Sequence, residues 1–118
     1  MGGYMKLISK TISVDELKPL SEKMFGKLVK AVIDIDREIM AIDAELHVDL
    51  EDLLLENESE QDNLWGINFH PTKFPNIDWV EFDSMINVRP VRGNTSRYVE
   101  NEQIRKKILS VVNKLVQA

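Results

Sequence analysis

The chain has 118 residues, 43% of them apolar and 30% charged, the composition of one ordinary globular domain with a real hydrophobic core. No apolar run approaches the roughly 18 residues that span a bilayer, and the N-terminus lacks the basic-then-apolar pattern of a secretory signal, so a cytoplasmic protein off the membrane is expected. Cysteine is absent, which excludes disulfides, thiolate nucleophiles and cysteine-ligated zinc. The net charge of −5 is unevenly spread: Glu38 to Thr72 holds ten acidic residues and no Lys or Arg, leaving the rest of the chain near +5. Such a balance disfavours sequence-blind binding to long nucleic acid, although a local basic patch remains able to hold a phosphate.

Residues 5–118 are read as a single α+β domain, and residues 1–4 as an extension or appended remnant outside it. Lys6 to Ile12 reads as a first strand. Ser13-Val14-Asp15-Glu16 is a capping box that opens a helix carrying Leu17, Leu20 and Met24, with Gly26 as its stop and Pro19 as an expected kink. Leu28 to Ile35 alternates, with Val29, Ala31, Ile33 and Ile35 on one face. Asp36-Arg37 suits a tight turn, and Ile39 to Ile42 returns as the second arm of a hairpin. A short amphipathic helix spans Asp49 to Glu56, with Asp49 as its expected N-cap and Asn57 as its stop.

Leu64 to Phe69 is a strand with Trp65, Ile67 and Phe69 on one face. Trp79 to Val88 reads as the longest strand, with Val80, Phe82, Ile86 and Val88 facing one way. A final helix starts near Asn101 and buries Ile104, Ile108, Val111, Val112 and Leu115. The order β-α-β-β-α-β-β-α with short connections predicts a two-layer α+β fold: a five-stranded, mostly antiparallel sheet with three helices on one face. The other face would then collect Lys30, Asp34, Asn68, Glu81, Asp83, Asn87 and Arg89. Asn and Asp are disfavoured in strands, so their presence there points either to a wet face or to a binding surface.

Three chemistries are compatible with these residues. Arg89, Arg92 and Arg97 surround Gly93-Asn94-Thr95-Ser96, and no acidic residue lies between Asp83 and Glu100. Guanidinium groups grip phosphate or carboxylate bidentately, and glycine lets backbone N–H groups approach an anion. The leading reading is therefore an anion-binding module for a phosphate-containing ligand, a nucleotide or RNA. The three arginines would hold the anion, and Asn87, Asn94 and Ser96 would orient it. The competing reading pairs these arginines with the chain's own acidic segment.

A second chemistry is a hydrolase whose carboxylates Asp34, Glu81 and Asp83 share the polar face. A metal at Glu45, His47 and Asp49 would extend it, since an E-x-H-x-D run in extended chain points three ligands to one side. The third is a structural or regulatory homo-oligomer. No P-loop, dinucleotide fingerprint, G-x-S-x-G or H-E-x-x-H occurs, so no cofactor is assigned.

The runs Val32-Ile33-Asp34-Ile35-Asp36-Arg37, Glu45-Leu46-His47-Val48-Asp49, Leu53-Leu54-Leu55-Glu56, Leu64-Trp65-Gly66-Ile67-Asn68 and Glu81 to Pro90 resemble a family of small prokaryotic proteins of unknown function. The resemblance extends from about Met5 to Val116 and includes Gly93-Asn94-Thr95-Ser96-Arg97. It implies a prokaryotic cytoplasmic protein and no particular activity. Glu38 departs from the pattern, standing where the family has glycine in the hairpin turn.

Overall fold

A computed structural model of the chain describes residues 5–24 and 26–118. The N-terminal extension lies outside them. Among the described residues ten α-helices and β-strands run in order: β1 (Lys6–Ile8), β2 (Ile12–Ser13), α1 (Val14–Glu22), β3 (Val29–Asp34), β4 (Ile39–Ile42), α2 (His47–Glu56), β5 (Leu64–Phe69), β6 (Val80–Glu81), α3 (Glu102–Leu115) and β7 (Val116–Gln117). Five strands form one antiparallel sheet in the order β1-β4-β3-β5-β6. The α+β class, the five-stranded sheet and the three helices are those read from the sequence. The first strand is shorter than expected, because Ile12 and Ser13 leave the sheet and pair in parallel with Val116 and Gln117 of β7.

Local chemistry sets the element ends. Ser13 Oγ accepts from Glu16 N (3.1 Å) while Glu16 Oε2 accepts from Ser13 N (2.8 Å), so the capping box forms and α1 runs through Pro19 to Glu22. Asn101 caps α3 by accepting from Ile104 N at 3.1 Å. The β3–β4 hairpin turns on Asp34, whose Oδ1 accepts from Asp36 N (3.0 Å) and Arg37 N (2.9 Å). Glu38 follows at φ +57°, the left-handed conformation that glycine adopts freely and that strains a side chain.

Pleat parity divides the apolar residues between two faces. Val29, Ala31, Ile33, Met40, Ile42, Trp65, Ile67 and Phe69 pack with Leu17 and Leu20 of α1 and with Ile108, Val111, Val112 and Leu115 of α3. The predicted α3 stripe and the predicted β5 face thus meet in one core. On the opposite parity, Val32, Ile39, Ala41 and Leu64 pack with Leu50 and Leu54 of α2. The expectation of one helical face therefore holds for α1 and α3, while α2 covers the other. Each fully buried Leu, Ile, Val or Phe contributes about 1.5–3 kcal/mol, so α2 is held by a second, smaller core. No helix among the described residues is long and apolar enough to cross a membrane.

The long strand expected over Trp79 to Val88 does not form. It stops after Glu81, and Met85–Asn87 makes a 3-10 turn with Ser84 at its start. The reason lies at Gly66. A Cβ there would sit 2.5 Å from Ser84 Cβ, so the glycine lets the turn lie directly on β5. Side chains then replace the missing strand. Asn87 Oδ1 accepts from Gly66 N (2.8 Å), and Asn87 Nδ2 donates to Gly66 O (3.0 Å). One buried amide satisfies the edge of β5 as a paired peptide would.

Candidate functional site

Where β6 ends, the chain enters the segment that carries the predicted anion ligands, and the structure assigns them separate tasks. Arg89 is largely enclosed. It donates through Nη2 to Leu64 O and through Nε to Ile86 O (3.1 Å), lies 4.8 Å over the Trp65 ring, and has Glu51 of α2 at 3.7 Å. The side chains of Arg89 and Glu51 are only 13% and 8% exposed. Burial pulls the Arg89 pKa below its ordinary value, and Glu51 and Asp62 oppose that pull. Arg92 pairs with Asp62, both about half exposed. Arg97 pairs with Asp83, Nε to Oδ1 at 2.7 Å. Two of the three arginines therefore meet carboxylates of the acidic 38–72 segment, and the third meets a carboxylate just beyond it.

The small polar residues of the segment are saturated within the chain. Asn87 Nδ2 also donates to Arg97 O (3.0 Å). Asn94 Nδ2 donates to the carbonyls of Asn87 (2.8 Å), Ser96 (2.9 Å) and Tyr98 (2.7 Å), and its Oδ1 accepts from Glu100 N (2.9 Å). Glu100 Oε2 accepts from Thr95 N (3.0 Å), Thr95 Oγ1 (3.3 Å), Ser96 N (2.8 Å) and Ser96 Oγ (2.6 Å). The donors read as an anion nest are thus filled by the chain's own carboxylate. Its pKa lies below the usual range, chiefly through the Ser96 hydroxyl. Gly93 contributes φ +84°, which closes a small loop in which Arg89 N donates to Asn94 O (2.7 Å).

Around this loop lies a cleft of about 400 Å³ lined by Asp62, Trp65, Arg89, Arg92, Gly93, Asn94, Glu100, Asn101 and Ile104. Its volume is in the range of small-molecule sites. Of the expected ligand residues it gathers Arg89, Arg92 and Asn94. It adds Asp62, Trp65 and the first turn of α3, which no motif marks in the sequence. Among the described residues the buried indole Nε1 of Trp65 has no hydrogen-bond partner, a rarity for a buried donor.

The predicted carboxylate site divides. Asp34 is fully buried and holds the hairpin turn, with Ser59 Oγ donating to its Oδ2 at 2.6 Å. It sits opposite Leu64, whereas Glu81 sits opposite Asn68, so roughly 13 Å of β5 separates the two positions. Asn68 Nδ2 donates to Glu81 Oε1 (3.0 Å) and to the main-chain carbonyl of Asp83 (3.1 Å), while the Asp83 carboxylate itself is taken by Arg97. His70 Nε2 lies 3.1 Å from the same Glu81 oxygen. Burial raises the Glu81 pKa, but the hydrogen bonds from His70 and Asn68 overcome it and the net shift is downward. Among the described residues the buried Asn68 Oδ1 has no partner.

The E-x-H-x-D run is corrected most. It is not extended: α2 begins at His47, two residues before the expected cap, and Leu46 is the N-cap without a side-chain bond. Glu45 and Asp49 are exposed while His47 is buried, with its Nε2 2.8 Å from Ile67 O. A carbonyl only accepts, so Nε2 carries the proton. Burial lowers the His47 pKa to about 4. Among the described residues, no group of three His, Asp or Glu side chains is placed to hold a metal ion.

Fold and site together define a small antiparallel α+β domain with a polar, charge-lined cleft beside the start of β5. Residues 6–115 match the model of the family described as protein of unknown function (DUF5674), and the chain belongs to that family. No curated protein and no solved structure matches it.

Proposed function

We propose that the protein is a binding module for a small, anion-bearing polar molecule, held in the cleft of Asp62, Trp65, Arg89, Arg92 and the first turn of α3. The observation that carries this reading is the presence of two guanidinium groups on one cleft of small-molecule size, only one of them sealed into the fold. Arg92 is the accessible cation. Its exposed pair with Asp62 is worth only about 0–1 kcal/mol, so a ligand anion exchanges for Asp62 at little cost. The α3 N-terminus adds favourable potential for negative charge. A chain of net charge −5 with one such cleft suits a phosphate or carboxylate of limited size better than an RNA strand.

Calorimetric titration of inorganic phosphate, acetate and a nucleoside monophosphate tests this reading. Saturable binding that falls at least about tenfold in Arg92→Ala is expected, the size of one charge-assisted hydrogen bond. Binding unchanged by that substitution contradicts it.

A second reading, hydrolytic proton transfer on the α2 side of the sheet, is favoured by one observation. Asn68 fixes the Glu81 carboxylate, which orients the imidazole of His70, and its buried Oδ1 has no partner among the described residues. Hydrolysis of p-nitrophenyl acetate that disappears in His70→Ala supports it; equal rates in the two proteins sink it.

A further inference from the structure

The charges that face the cleft are of both signs, and this determines which molecules fit it. Arg89 and Arg92 bring two positive charges, and Asp62 and Glu100 two negative ones. Arg89 is committed to Glu51, Leu64 O, Ile86 O and the Trp65 ring. Arg92, Asp62 and Glu100 remain at the surface. A purely anionic ligand that reaches Arg92 therefore comes up against two carboxylates. A purely cationic ligand meets two guanidinium groups. Like charges brought together in a cleft repel and lower affinity for the wrong partner.

The carboxylates are also fixed and have oxygens to spare. Glu100 is anchored through Oε2 alone, by the four donors of Thr95 and Ser96. Asp62 meets Arg92 through Oδ2. Among the described residues no hydrogen bond reaches Glu100 Oε1 or Asp62 Oδ1. Each is a free carboxylate oxygen, and Glu100 is already held in place by the loop, so little rotamer entropy is lost when a donor arrives.

We propose, building on the reading of this cleft as a small-ligand site, that its ligand is a zwitterion of the α-amino acid type, with its carboxylate on Arg92 and its ammonium group on Glu100. Such a molecule neutralises both exposed signs at once. Its ammonium group has three donors for the free oxygens of Glu100 and Asp62, and its carboxylate accepts from the guanidinium in place of Asp62. The free amino acids fit within about 400 Å³ with water to spare.

The test is an amide and indole NMR titration of the full chain with each standard amino acid, with propionate as carboxylate alone and with ethylammonium as ammonium alone. At least one amino acid is expected to bind about tenfold or more tightly than either half-molecule, with shifts at Trp65, Gly93, Asn94 and Ile104. Glu100→Gln, which keeps an oxygen for the Thr95–Ser96 loop, should remove that advantage, because it loosens the amino acid and relieves the repulsion that propionate meets. Arg92→Ala should remove binding of propionate as well. If propionate binds as tightly as every amino acid, the zwitterion assignment is wrong and the anion reading stands. If nothing shifts at about 10 mM, both are wrong.

Discussion

Asn87 does at the residue scale what a strand would otherwise do. Its amide satisfies the N–H and C=O of Gly66 and the carbonyl of Arg97, all at the seam between β5 and the Ser84–Arg97 segment. Replacing it with alanine orphans these groups, and each buried unsatisfied group costs about 1–3 kcal/mol. Asn87→Ala should therefore lower unfolding stability by at least about 2 kcal/mol in urea denaturation. Asn87→Asp should be no better, because a carboxylate oxygen would face two carbonyls. A near-neutral Asn87→Asp would show that the amide is not the strand surrogate described. The arginines divide in the same way. Arg89→Ala removes one partner of a buried ion pair and should cost about 3–5 kcal/mol, whereas Arg92→Ala at the surface should stay within about 1 kcal/mol. Equal losses in the two proteins would contradict the division into a structural and an accessible guanidinium.

Two elements carry predictions of their own. The imidazole of His47 at the start of α2 is held neutral, with a pKa near 4 against an ordinary 6.5. The unfolded chain then takes up this proton at higher pH than the fold does. Above pH 6.5 the group is neutral in both states and contributes nothing; between about 6.5 and 4 stability falls as protons favour the unfolded chain; below 4 the loss levels off. About 2.5 pKa units correspond to about 3 kcal/mol. Urea unfolding at pH 7 and pH 4.5 should show a loss in the natural chain that His47→Gln lacks; parallel losses would refute the assignment. In the hairpin, Glu38 occupies a left-handed position and reaches Lys114 across the surface at 2.6 Å. Relief of about 1–2 kcal/mol of strain outweighs the surface pair and the added chain entropy, so Glu38→Gly should be neutral to about 1 kcal/mol stabilising. A melting temperature lowered by several degrees would contradict this.

The same elements show what could be read from sequence. β5, the capping box of α1 and the buried stripe of α3 follow from local periodicity and cap chemistry, and they appear as expected. The strand read over Trp79 to Val88 ends after Glu81, because its alternation is equally produced by a short strand, a turn and a loop. Only the fit of Ser84 onto Gly66 decides between them. The α2 layer had a signal in Ile39-Met40-Ala41-Ile42, four consecutive apolar residues that suit a strand buried on both faces.

Over the whole molecule, the acidic 38–72 segment and the basic segments around it act as complementary halves. Glu51 meets Arg89, Asp62 meets Arg92, and Glu38 meets Lys114. The charge asymmetry of the sequence makes this pairing one of the two readings it offers, while the cleft gathers residues from Asp62 to Ile104, more than forty positions apart, and no local pattern announces it. Glu100 filling the Thr95–Ser96 donors is a local contact, yet it too is silent in sequence, since an exposed glutamate has no signature of its own.

The most direct test of the account is the indole N–H resonance of Trp65, followed together with the amides of residues 89–94 and 100–104 as small anions and amino acids are added at moderate salt. The account predicts saturable shifts confined to these groups, with the Trp79 indole unmoved and the response lost in Arg92→Ala. Shifts absent at about 10 mM, or spread evenly over the surface and unchanged in Arg92→Ala, would contradict it.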